Sequence, residues 1–147
     1  MSKEPTAEDM MVAYSQDAVD HARAHFRVEL DYSLESVQAV EKILAQIYDA
    51  IPRGVWKIFR RRLPQDALSG LAKMYGGYIG EVMRRRRGGN WVIETGVVSP
   101  DPAITLRNGD DRVFSPAKVW KRLTNGPEDD VWMYFQVIEG MLTPVEL

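Results

Sequence analysis

Apolar residues change their spacing several times along the chain, and each change marks an element. From Thr6 to Ala24, Met11, Tyr14, Ala18 and Ala22 recur at intervals of three and four, the signature of one helix face. Thr6, with Asp9 three residues on, supplies a cap and an acidic first turn. Phe26-Arg27-Val28-Glu29-Leu30-Asp31 then alternates apolar and polar, which predicts a half-buried strand. At Ser33 the helical period returns: Val37, Val40, Leu44, Ile47 and Ile51 form one stripe between Ser33 as N-cap and Pro52 as stop. Between Pro52 and Pro64 the residues Trp56, Phe59 and Leu63 share one face of a short connecting helix.

Asp66 is placed to cap a third long helix that runs to about Arg87, where Gly88-Gly89-Asn90 stops it. Three strand candidates follow, Trp91 to Thr95, Ala103 to Arg107 and Arg112 to Ser115. The last two are joined by Asn108-Gly109-Asp110-Asp111, whose Asn-Gly suits a tight hairpin. Ser115 and Pro116 read as N-cap and first residue of another helix, with Val119, Trp120 and Leu123 buried and Asn125-Gly126-Pro127 closing it. Asp129 and Asp130 precede a final apolar element from Val131 to Leu142; its composition suits a strand, but its length and acidic cap favour a helix. This order predicts an α+β fold, a small, mainly antiparallel sheet of about four strands packed by four to six helices. It forms a single domain over residues 1–147, with a disordered tail over 1–6.

The third long helix carries a contradiction. Gly70, Gly76, Gly77 and Gly80 lie inside it, and each interior glycine costs about 1 kcal/mol relative to alanine. On a helical wheel Leu68, Leu71, Ala72, Met74, Tyr75, Tyr78, Ile79, Val82 and Met83 fill a wide apolar arc, while the glycines fall opposite, beside Lys73, Glu81 and Arg84. A helix face stripped of side chains admits something at short range. One reading is an element of the same domain, helix two or the final helix, crossing there. The other is an external contact, in which Gly76, Gly77, Gly80, Glu81, Arg84 and Trp91 bind a ligand, a peptide or a second subunit. Tyr75 and Tyr78 read as core aromatics with hydrogen-bonded hydroxyls.

The stretch Tyr75-Gly76-Gly77-Tyr78-Ile79-Gly80-Glu81, followed by Gly88-Gly89-x-Trp91 and preceded by Leu30-Asp31-Tyr32-Ser33-x-Glu35-Ser36, resembles a family of small bacterial α+β domains to which no activity is assigned. The resemblance covers about residues 28–138. It implies that the glycine helix, Glu81 and Trp91 form one local arrangement.

Charge is uneven along the chain. Residues 1–52 carry 4 Lys/Arg against 10 Asp/Glu, residues 53–87 carry 10 against 2, and residues 88–147 carry 5 against 9. The runs Arg60-Arg61-Arg62 and Arg84-Arg85-Arg86-Arg87 make anion-binding candidates, with Trp56, Phe59 and Trp91 near enough in sequence to stack on bases. A pI near 5.7 argues against a dedicated nucleic-acid binder, and an acidic protein partner suits the arginine-rich surface better. Arginines ending a helix also complement its dipole.

Chemistry of other kinds finds little support. The chain has no cysteine, so disulfides, thiolate metal sites and a cysteine nucleophile are excluded. His21 and His25 share a helical stripe with Asp17 and could in principle ligate zinc, but three ligands on one helix without a fourth candidate read rather as exposed polar residues. No serine sits in a Gly-x-Ser-x-Gly turn, and no glycine loop links a strand to a helix. If a reaction occurs, Glu81 is the candidate base with Tyr78 or Arg84 assisting. No apolar run reaches the length of a membrane span and no signal core opens the chain, so a cytoplasmic location is expected. The expected function is a non-enzymatic interaction or regulatory domain without cofactor or metal, binding a protein, an acidic toxin or effector for example, or a second copy of itself. The contact would lie along the glycine helix, Gly70 to Glu81, and its arginine-rich end. The rival expectation is a small ligand-binding protein or enzyme with its pocket around Glu81; a third is phosphate or nucleic-acid binding by the arginine runs.

Overall fold

The computed structural model describes residues 4–50, 65–95 and 102–140. Within them the chain is an α+β fold: α1 (Ala7–Phe26), α2 (Ser36–Asp49), α3 (Gln65–Arg87), β1 (Asn90–Thr95), β2 (Pro102–Asn108), β3 (Asp111–Val113), α4 (Ser115–Asn125), a 3-10 turn (Pro127–Asp129) and α5 (Val131–Ile138). The predicted helix between Pro52 and Pro64, with Trp56, Phe59 and Arg60 to Arg62, lies outside the described residues. Among the described residues no helix is long and apolar enough to cross a membrane.

Thr6 caps α1 with a full capping box: Asp9 N–H donates to Thr6 Oγ1 at 3.0 Å and Thr6 N–H to Asp9 Oδ2 at 3.1 Å. Thr6, within the stretch where a disordered tail is expected, thus belongs to the helix entry. The predicted strand at 26–31 does not form. Helix α1 continues to Phe26, Arg27 closes it at φ 55°, and the segment beyond is extended without a ladder partner. Its alternation is real, since Leu30 is buried and Val28 packs against the core while Glu29 pairs with Arg23 outside. A period of two records one buried side and does not require a neighbouring strand.

The sheet therefore has three strands in the order β1-β2-β3, all antiparallel. Its hairpin turns on Gly109 and Asp110, with Gly109 at φ 62°. Trp91, Leu106 and Val113 stand opposite one another across the strands and are all buried, which makes one row of the sheet the face turned to the helices.

Helix α3 is the centre of the domain, contacted chiefly by α1 and α4. Every residue from Tyr75 to Met83 is buried, so the helix has no free side along that stretch. Helix α4 corrects a cap: Ser115 is its first residue and caps nothing, because its Oγ–H donates to the Gly76 carbonyl at 2.7 Å instead. Helix α5 is capped by Asp130, which accepts from Met133 N–H at 2.8 Å. It ends at Ile138, ahead of the predicted Leu142, because Gly140 takes φ 75° there.

Two helices are stapled by charge. Arg122, with its side chain 3% exposed, places Nε 2.9 and 3.1 Å from the two carboxylate oxygens of Glu41 on α2. Glu41 Oε1 also accepts the Val131 N–H at the start of α5, at 3.1 Å. One carboxylate thus fixes α2, α4 and α5 together.

Candidate functional site

The glycines of α3 are occupied by the chain itself. A side chain on Gly76 would overlap the backbone of Pro116, and one on Gly80 would overlap the Trp91 ring and meet Ser115 Oγ at 3.0 Å. Gly77 faces α1, where a Cβ would stand 3.2 Å from Met11 Cε and 3.3 Å from Tyr14 Cβ. The approaches at Gly76 and Gly80 are closer than a methyl group allows, which explains these two glycines by packing, whereas at Gly77 Met11 and Tyr14 would have to give by only a few tenths of an ångström. The intruders are α1, α4 and β1, and not helix two or the final helix. Gly70 differs, since a Cβ there meets nothing within 4 Å.

Glu81 is sealed. It is fully buried, receives Arg84 Nε at 2.5 Å and Nη2 at 2.9 Å, and accepts the Trp91 indole N–H at 3.1 Å. Burial alone would push its carboxyl up; the hydrogen bonds from Arg84 and Trp91 and the charges of Arg84 and Arg85 outweigh that and hold it below its ordinary range. Glu81 and Trp91 do share one arrangement. The carboxylate oxygens of Glu81 are held by Arg84 and Trp91 inside the packed domain.

Tyr78 is a second hub on the same helix. Ser36 Oγ–H is spent on Ser33 O at 2.5 Å, so the Tyr78 hydroxyl donates to Ser36 Oγ at 2.6 Å and accepts the Tyr32 N–H at 2.7 Å. Ser15 likewise spends its proton on Val12 O at 2.7 Å, which leaves the Tyr32 hydroxyl to donate to Ser15 at 3.0 Å. Tyr32 sits at φ 62°, rare for a bulky residue, and these bonds with the Arg85 guanidinium 3.5 Å above its ring hold it there. Two sequence motifs some forty residues apart meet at one hydroxyl.

The arginine run is largely committed internally. Arg84 also reaches Glu8 at 2.9 Å, Arg85 lies on Tyr32, Arg86 is 3.5 Å from Glu139, and Arg87 Nη1 donates to Ile138 O at 3.0 Å. Arg85, Arg86 and Arg87 are nonetheless exposed residues, and Arg60 to Arg62 lie outside the described residues. His21 does not face a metal set: its Nδ1 shares a 2.6 Å hydrogen bond with Tyr75 and its ring lies 4.5 Å from that of His25. No cluster of three metal-ligating side chains occurs among the described residues.

An opening does exist where α3 ends. A cleft of about 270 Å³ lies between the last turn of α3, the β2-β3 hairpin and the C-terminal end of α5. Met83, Leu106, Val113, Val137 and Ile138 supply its apolar lining, and Arg87, Asn108, Asp111, Arg112 and Glu139 its polar groups. Leu106 and Val113 belong to the same sheet row whose other end, Trp91, plugs Gly80. The residue that most distinguishes this cleft is Glu139, whose side chain is 4% exposed and whose Oε1 is buried without a hydrogen-bond partner. Sequence reading passed over it, because a glutamate after an apolar helix looks like surface. Compared with known proteins, the chain matches no family model, no curated protein and no solved structure.

Proposed function

We propose that this chain is a binding domain whose ligand site is the cleft at the arginine-bearing end of α3. The observation that carries the reading is a concave space of about 270 Å³ in which five apolar side chains and five polar ones meet, a cleft able to hold a small molecule. The contact moves from the glycine face, which α1, α4 and Trp91 occupy, to the end of the same helix. A small ligand takes the place of the protein partner expected for an open glycine face.

The lining contains no Ser, Thr, Cys, His, Lys or Tyr, and its titratable acids are the carboxylates of Asp111 and Glu139. A screen of small-fragment cocktails followed by methyl NMR tests the reading. Hits should shift the methyl signals of Met83, Leu106, Val113 and Val137 ahead of others. Hits confined to other surfaces, or none at all, would remove it.

A further inference from the structure

Helix α1 is held to the rest of the domain in two different ways along its length. Its first half is anchored by charge and shape: Glu8 reaches Arg84 at 2.9 Å, Met11 packs against Gly77, and Ser15 shares a 3.0 Å hydrogen bond with Tyr32. Past Ser15 the buried residues are Ala18 and Ala22, with Val19 and Phe26 only partly covered. Among the described residues one polar bond ties this second half to another helix, the 2.6 Å contact between His21 Nδ1 and the Tyr75 hydroxyl. Arg23 is spent on Asp20 and on Glu29 in the segment that follows the helix.

The direction of that bond follows from what each group can do elsewhere. Tyr75 is wholly buried, and its hydroxyl has no hydrogen-bond partner but His21 among the described residues. The phenol proton therefore points at Nδ1, since turned away it would be buried without an acceptor. His21 then carries its own proton on Nε2.

A second proton on His21 reverses this. Imidazolium donates from both ring nitrogens, so Nδ1 gains a hydrogen and the Tyr75 proton is left facing the packed interior. The titratable groups that face His21 are Tyr75 on α3 and His25 on α1, with ring centroids 5.6 and 4.5 Å away. Asp17, Asp20 and Lys73, the other charged residues near it along the two helices, form no hydrogen bond or ion pair with it. Burial first and His25 second favour the neutral ring. We propose that the His21–Tyr75 pair is a pH-sensitive latch: a proton taken up by His21 releases residues 16–26 of α1 from α3 while the first half of the helix stays docked. Mild acid thereby uncovers Ala18, Ala22 and Tyr75, which neutrality keeps hidden.

Two NMR measurements on the full chain test the latch. At about pH 8 the ring nitrogens of His21 should report the Nε2–H tautomer, and from there to about pH 5 the amide protection of residues 18–26 should fall about tenfold further than that of Val40 to Leu44 in α2. Tyr75→Phe, which leaves the ring in place, should raise the His21 pKa and remove most of the pH-dependent loss, whereas His25→Gln should keep most of it. An Nδ1–H tautomer at neutrality would overturn the proposal, because Tyr75 would then already accept and protonation would leave the bond intact. Protection that falls equally in both helices, or in neither, would overturn it too, as would an undiminished loss from α1 in Tyr75→Phe. The tautomer and the parent's exchange pattern need no variant, so they decide the matter should Tyr75→Phe fail to fold.

Discussion

The indole N–H of Trp91 donates to the buried carboxylate of Glu81 at 3.1 Å, while the six-membered edge of the same ring fills the space where Gly80 lacks a side chain. One residue of β1 thus answers two oddities of α3, a bare glycine and a buried charge. Trp91→Phe should keep much of the ring but strip the carboxylate of a donor, at a cost of about 1.5–3 kcal/mol for a hydrogen bond to a charged group. Urea unfolding at neutral pH checks it; a loss no larger than that of a surface substitution would show that the bond carries little.

The same carboxylate shapes acid stability. Because Glu81 is held below its ordinary value of 4.5 in the fold, its contribution is complete above that value and is lost as the pH falls through the folded pKa. Glu81→Gln should therefore lower stability at neutral pH and make the acid limb of the stability curve shallower than in the parent. Parallel acid limbs would contradict the assignment.

The glycines divide by what faces them. Gly70→Ala meets open space and should stabilise the chain by about 0.5–1 kcal/mol through helix propensity. Gly76→Ala must push α4 away at Pro116 and Gly80→Ala must displace the Trp91 ring, so each should lose about 1–3 kcal/mol despite the same gain in propensity. Thermal or urea midpoints of the three variants order them directly. Equal effects would mean that packing does not explain the glycines.

Protonation of His21 works against the fold. Burial first, and the neighbouring His25 second, lower its folded pKa beneath the unfolded 6.5, so the unfolded chain takes up the proton at higher pH. Stability should be full above that value and decline as the pH falls below it. His21→Gln, followed by urea midpoints from about pH 8 to about pH 5, should remove most of that decline; an unchanged slope would place the titration elsewhere.

Arg122 and Glu41 form a pair that neither can leave alone. Arg122→Met strands the Glu41 carboxylate between α2 and α5 and should cost about 3–5 kcal/mol, and Glu41→Gln should cost a similar amount. The double variant should recover part of the loss, because no uncompensated charge remains. A double-mutant cycle with additive losses would contradict the coupling.

Much of this architecture was legible from local spacing. Val37, Val40 and Leu44 announced α2, and Asn108-Gly109 announced the hairpin, because stripe and turn chemistry are properties of a few adjacent residues. The 26–31 segment misled because alternation reports burial of one side, which an unpaired extended chain also has. Ser115 misled because its hydroxyl serves Gly76 across thirty-nine residues, a tertiary use invisible to local rules. The site was hardest to foresee. Glu81 looked functional because it stood beside glycines, and it is instead the partner of Arg84 and Trp91. Glu139 had no neighbour in sequence to mark it; its burial arises only in the folded chain.

The central claim is that the glycine side of α3 is closed by the chain's own elements, and the proposal of a site at the cleft beyond it rests on that closure. An NOE spectrum of the protein with labelled glycine tests this most directly. Cross-peaks should join the Gly80 α-protons to the Trp91 ring and the Gly76 α-protons to Pro116. Glycine α-protons whose only cross-peaks beyond their own helix are to water would contradict it.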